Sequence, residues 1–175
     1  MYSVGYQGGG GYTFVLNADT GQVCELNLGG WAAVAHWSSD GRYLAVERAT
    51  SSHPADLAIL DTITGKLTTF VGVDQGTQGQ LYVDDFTWAP DNYHLLAIGS
   101  IASQPSNSQN TSDTHGLYLA DIGLGKGIYV DEYKSIVSSQ DNNLAWSADG
   151  SNLLVRCPTQ TSDRICIMSV QETGQ

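Results

Sequence analysis

The stretch HWSSDGRYLAV, His36–Val46, sets a tryptophan, a Ser-Ser-Asp-Gly cluster and an apolar run in that order. Asp-Gly between two apolar runs is a hairpin signal, because glycine accepts positive φ and the carboxylate bonds the nearby backbone. Whether it is one isolated hairpin or one copy of a repeat decides the fold. Two further copies stand downstream: FTWAPDNYHLLAIG from Phe86 and LAWSADGSNLLVRC from Leu144. In the second, Asn92 replaces the glycine, the next-best residue for that backbone conformation. The tryptophans Trp37, Trp88 and Trp146 recur with a period of roughly 50–60 residues.

A second motif alternates with the first. YTFVLNADTGQ starts at Tyr12, DLAILDTITGK at Asp56, GLYLADIGLGK at Gly116 and RICIMSVQETGQ at Arg164, which places Gly21, Gly65, Gly125 and Gly174 equivalently. The runs YLAV, LLAI and NLLV are apolar at successive positions, as expected of strands buried on both faces. A blade sandwiched between two blades has that environment. A four-strand unit follows. Strand A ends near the tryptophan, the Asp-Gly turn leads to strand B, a polar loop to strand C, and the Thr-Gly-Lys turn to strand D. The second B–C loop, SIASQPSNSQNTSDTH, is long and polar and reads as a mobile surface segment; it carries a glycosylation sequon at Asn110.

These residues resemble the TolB-like, WD40-like β-propeller repeat. The match rests on Trp37, Ser38, Asp40 and Gly41; on Trp88, Pro90 and Asp91; and on Trp146, Ser147, Asp149 and Gly150. Asp61, Thr64, Gly65 and Lys66 match its second half, as do Asp121, Gly125 and Lys126. The resemblance runs from Tyr12 onward and implies an all-β fold of four-stranded antiparallel blades. Repeats of this kind serve translocation proteins, peptidase gating domains, lyases and sensor ectodomains, so the resemblance names no activity. Closed propellers have at least four blades, about four to eight. The units here divide as a partial unit 1–30, a blade 31–74, a blade 80–131 and a partial blade 136–175. They predict one repeat domain forming a partial or open propeller of about three to four blades, either part of a larger propeller or closed by association.

Composition agrees. In 175 residues, 41 % are hydrophobic, with 20 glycines and 4 prolines, which favours short strands joined by tight turns. Seven Lys+Arg face 18 Asp+Glu, a net charge of −11, which argues against nucleic-acid and anionic-membrane partners. No apolar run is long enough to insert into a membrane as a helix, and the first residues lack the basic and apolar regions of a signal peptide. Cys24, Cys157 and Cys166 form no CxxC pair, so zinc has no support; Cys157 and Cys166 flank a polar loop and could bridge or remain free.

The chemistry-bearing residues point away from catalysis. No G-x-S-x-G elbow occurs, and Ser38 and Ser147 sit in turns where their hydroxyls serve the backbone. His36, His53, His94 and His115 share no ligand spacing. Asp74, Asp84, Asp85, Asp131 and Glu132 gather near strand D ends and the D–A connections. There they form a solvated acidic rim or, less readily, a hard-cation site. The three repeated tryptophans are expected to be buried between blades, and Trp31, outside the repeat, to make an exposed contact. The expected protein is a non-catalytic module, without cofactor or metal, mediating protein–protein interaction in a larger receptor, transport or regulatory protein. Its open blade ends are expected to allow self-association. The alternatives are an accessory gating domain of a propeller-containing serine peptidase and a small-molecule or sugar-binding propeller.

Overall fold

A computed structural model of the chain describes residues 2–6, 10–49, 55–74, 77–102, 115–130, 144–158 and 163–170. Every regular element among them is a strand. The leading sheet holds β1 (Tyr2–Tyr6), β2 (Gly10–Leu16) and β3 (Val23–Leu26). The next unit is β4 (Trp31–Trp37), β5 (Tyr43–Ala49), β6 (Asp56–Asp61) and β7 (Leu67–Thr69), paired antiparallel in that order. Then come β8 (Val71–Asp74), β9 (Thr77–Trp88), β10 (His94–Ala102), β11 (His115–Asp121) and β12 (Lys126–Val130). The last sheet is β13 (Leu144–Trp146), β14 (Asn152–Pro158) and β15 (Asp163–Ser169).

The tryptophan motif forms the predicted A–B hairpin each time: β4 to β5, β9 to β10 and β13 to β14. Gly41, Asn92 and Gly150 take φ of 72°, 59° and 72° at the turns. The Thr-Gly-Lys motif is equally regular. Asn17, Asp61 and Asp121 each accept two backbone N–H bonds through Oδ1, and Gly21, Gly65 and Gly125 close the turns at positive φ. Gly174, Asn110, His53 and the loop 103–114 lie outside the described residues.

Packing between units accounts for the unalternating runs. Leu44 and Val46 of β5 face the leading side with Leu28 and Ala32, while Ala45 faces the next unit with Phe70 and Leu81. In β10, Leu95 and Ala97 pack backward, whereas Leu96 and Ile98 pack forward against Leu144, Leu153 and Val155. Each middle strand therefore loses water on both faces. In β14 alternation returns, because Leu153 and Val155 are buried and Leu154 is exposed on the outer face.

One strand was not legible in the sequence. The connection after β7, taken as the end of the 31–74 unit, forms β8, which pairs antiparallel with β9 and parallel with β12. With the β9–β10, β10–β11 and β11–β12 pairings, five strands close a ring of hydrogen bonds. Gly72 and Gly127 permit it: a Cβ on Gly72 would lie 2.4 Å from Ile101 Cγ1, and one on Gly127 would lie 2.8 Å from Leu81 Cδ2. The ring joins the preceding unit through the pair Asp56 and Tyr82.

Cys166 is disulfide-bonded and Cys24 is free and exposed. The β14–β15 register sets Cys157 opposite Arg164 and Cys166 opposite Val155; the side chain of Cys157 lies outside the described residues.

Candidate binding groove

The A–B turns are built by a repeated hydrogen-bond set. Ser38 Oγ donates to Asp40 Oδ1 at 2.6 Å, Arg42 N–H donates to the same oxygen at 3.0 Å, and Tyr43 N–H donates to Ser38 Oγ at 2.9 Å. The third copy repeats this with Ser147, Asp149, Ser151 and Asn152. Ala89 replaces the serine in the second copy, and Asp91 Oδ1 compensates by accepting from both Tyr93 and His94 N–H at 2.8 and 2.9 Å. These bonds favour the charged carboxylates. The Ser38 hydroxyl, then the Arg42 amide, hold Asp40 below its ordinary range. The Ser147 hydroxyl and the Ser151 amide and hydroxyl bring Asp149 to about 2. Burial opposes the effect at Asp91, but bonds from His94 and Tyr93 prevail and lower it.

Because the inner strands β4, β9 and β13 lie side by side, their turns converge. Trp37, Trp88 and Trp146 line one groove of about 530 Å³ together with Ser39, Pro90 and Asn92. Asn92 Oδ1 accepts from Ser39 N–H at 2.6 Å and from Ser39 Oγ at 2.8 Å, tying two turns together. Trp88 Nε1 donates to His36 O at 2.9 Å, and its ring stacks on Tyr43 with centroids 6.3 Å apart.

The expectation that all three tryptophans are buried is corrected at Trp37, which is 40 % exposed. Trp88 and Trp146 are half-buried against their core clusters. Trp88 reaches back to the inner strand β4 at the His36 carbonyl, whereas Trp37 stands beside Val15, Cys24 and Leu26 of the leading sheet. The sequence repeat marks the tryptophans, but nothing local distinguishes the exposed copy.

Of the expected acidic rim, the described residues place two side chains. Asp84 is exposed at a bulge in β9, and Asp85 is half-buried beside it. Asp74 pairs through its backbone with Thr77; its side chain, and the residues Asp131 and Glu132, lie outside the described residues. Trp31 is half-buried at the start of β4 opposite Ala49. Among the described residues no group of three His, Cys, Asp or Glu side chains is placed to hold a metal ion. His94 is drawn to Asp91, with Nδ1 and Oδ2 2.6 Å apart.

Reading the rim residues missed a third acid near Asp84 and Asp85. Burial, then repulsion from Asp84 and Asp85, push the Glu47 carboxyl above its ordinary 4.5. The folded chain thus holds this proton more tightly than the unfolded chain, and stability falls as pH rises from about 4.5 through the folded pKa. Glu47→Gln is expected to raise the urea midpoint at pH 7, with the gain shrinking towards pH 4. Urea melts at the two pH values check this; a variant no more stable at pH 7 contradicts it.

No protein-family model matches the chain, and no curated protein matches it. Solved structures do. TolB from Acinetobacter baumannii is similar over 94 % of this chain and 36 % of its own, at 16 % identity and a TM-score of 0.54. An oligogalacturonate lyase in complex with manganese is similar over 91 % of this chain and 41 % of its own, at 14 % identity and 0.58. The acylaminoacyl peptidase of Pyrococcus horikoshii is similar over 93 % of this chain and 27 % of its own, at 14 % identity and 0.59. The chain spans less than half of each. At these identities the likeness defines the fold: an all-β, β-propeller protein with an open, partial set of blades.

Proposed function

We propose that this chain is a non-catalytic module of TolB-like repeats that holds a protein partner within a larger receptor, transport or regulatory protein. An extended segment of that partner would lie in the tryptophan groove. The carrying observation is the groove itself, where three repeat tryptophans converge and Trp37 keeps 40 % of its surface open. Exposed indole lining a concave surface is what interface anchors use. A random dodecapeptide display library, panned in parallel on the chain and on Trp37→Ala, tests the reading. Peptides enriched on the chain and lost on the variant support it; identical enrichment on both overturns it.

The absence of catalysis is part of the proposal. The Ser38 and Ser147 hydroxyls both donate to the Asp carboxylates of their own turns, and these carboxylates, held below their ordinary range, are weak bases for activating a serine. The purified chain is expected to hydrolyse ester and peptide substrates no faster than buffer. Turnover abolished by one Ser or His substitution would favour an enzymatic role.

Self-association belongs to the same proposal. The last sheet exposes Ile165 at 69 %, Ile167 at 73 % and Leu154, and the leading sheet exposes Tyr12, Leu16 and Val23. Such faces expect cover, and among the described residues β15 pairs with β14 alone. A net charge of −11 opposes association at low ionic strength and is screened by salt. Mass measured by light scattering after size exclusion is expected to rise with salt and protein concentration. A monomer throughout contradicts this.

A further inference from the structure

Each turn that lines the groove also carries one carboxylate. Asp40 follows the lining residue Ser39, Asp91 lies between Pro90 and Asn92, and Asp149 follows Ala148. All three carboxylates are exposed, and all are held below the ordinary carboxylate range by their turns, so each is ionised at neutral pH. The lining residues themselves are neutral. Arg42, the cation nearest in sequence to these turns among the described residues, is already paired with Asp61 at 3.2 Å. Its guanidinium carbon lies 4.8 Å from the Tyr43 ring centroid. The same rim therefore already holds one guanidinium over an aromatic face beside a carboxylate.

We propose that the segment held by the tryptophan groove is cationic, with a Lys or Arg side chain laid on the Trp37 indole and the turn carboxylates balancing its charge. The inference rests on the groove reading above and adds the chemistry of the partner. An indole face attracts a cation through its quadrupole, and flanking anions reinforce the attraction. The groove lining carries no positive charge to answer an anionic segment, and each of the three turn carboxylates is next in the chain to a lining residue. The chain's −11 charge steers basic segments towards it from a distance.

The test has two arms. In the first, fluorescein-labelled decapeptides of alternating Gly-Arg, Gly-Glu and Gly-Leu are titrated with the chain, and anisotropy is read at low and high salt. The Gly-Arg peptide is expected to bind best and to weaken with salt. Trp37→Ala should weaken it about two- to fivefold, the range of an exposed cation–aromatic contact. Asp40→Asn with Asp149→Asn keeps each turn's oxygen acceptor while removing the charge, and should weaken it about fivefold. Asp19→Asn with Asp84→Asn removes two exposed charges from residues that line neither cavity beside Trp37 and should change little; thermal melts confirm that each variant folds. An equal loss in both double variants, or indifference to Trp37→Ala, would mean diffuse charge attraction and overturns the proposal. In the second arm, the library peptides that depend on Trp37 are sequenced. A surplus of Lys and Arg supports the proposal. Trp37-dependent peptides without cations overturn it while leaving the groove reading intact, and the lack of any Trp37-dependent peptide ends both.

Discussion

Asp56→Ala is expected to lower the free energy of unfolding by about 3–5 kcal/mol, the cost of stranding one member of a buried ion pair. Asp56 is 3 % exposed and faces Arg48 across the β5–β6 pair. Arg48 Nε donates to Asp56 Oδ1 at 2.8 Å, and the second guanidinium arm reaches Asp56 Oδ2. Two further donors are committed as well, to Leu28 O and Thr69 Oγ1, both at 3.1 Å. Gln80 Nε2 donates to Asp56 Oδ2 as well. One carboxylate thus organises contacts from the end of the leading sheet, from β5, β6 and β7, and from β9. Removing it leaves a guanidinium little exposed to water with no anion, and an amide with no acceptor. Urea melts followed by circular dichroism check the value. A loss below about 1 kcal/mol would mean that water replaces the carboxylate freely and that the pair is not a junction. Arg48→Met with Asp56→Leu should recover only part of the loss, because Leu28 O and Thr69 Oγ1 also lose their donor.

Phe70→Ala is the second large effect expected, again about 3–5 kcal/mol, from lost burial and the cavity left behind. Phe70 is fully buried between β7 and β8, where one unit passes into the next. Its N–H donates to Leu57 O at 3.0 Å and its carbonyl accepts from Leu81 N–H at 3.3 Å, so its backbone is held from both units. The ring shares a cluster with Leu57 and Ile59 of β6 and with Leu81, Tyr118 and Tyr129 of the following ring of strands. Collapse around an alanine would have to move both units together, which close packing resists. Phe70→Leu should retain most of the stability. Equal losses for the two variants in urea melts would show that ring volume is not what this site requires.

The repeat was legible because each copy carries its own local physics. Asp-Gly, Asp-Asn and Thr-Gly turns need particular φ values and acceptor atoms, and these are written in single residues such as Gly41, Asn92 and Asp61. Burial of β5 and β10 on both faces was also legible, since their apolar residues do not alternate. Strand β8 was not. Four residues with one glycine look like any connection, and only Ile101, 29 positions further on, shows why Gly72 must lack a side chain.

Most of the binding groove belongs to the second kind of information. Three tryptophans in three equivalent turns, each followed three positions on by an aspartate, can be read directly from the chain. That pattern follows from local backbone chemistry and is independent of what stands next to it. Tertiary structure alone decided that β4, β9 and β13 lie side by side, so that the rings share one groove. It also decided that Trp37 stays more open than Trp88, whose ring meets Tyr43 and the His36 carbonyl of the preceding unit. Exposure is a property of the neighbour as much as of the residue, and the neighbour is fixed by packing over long range.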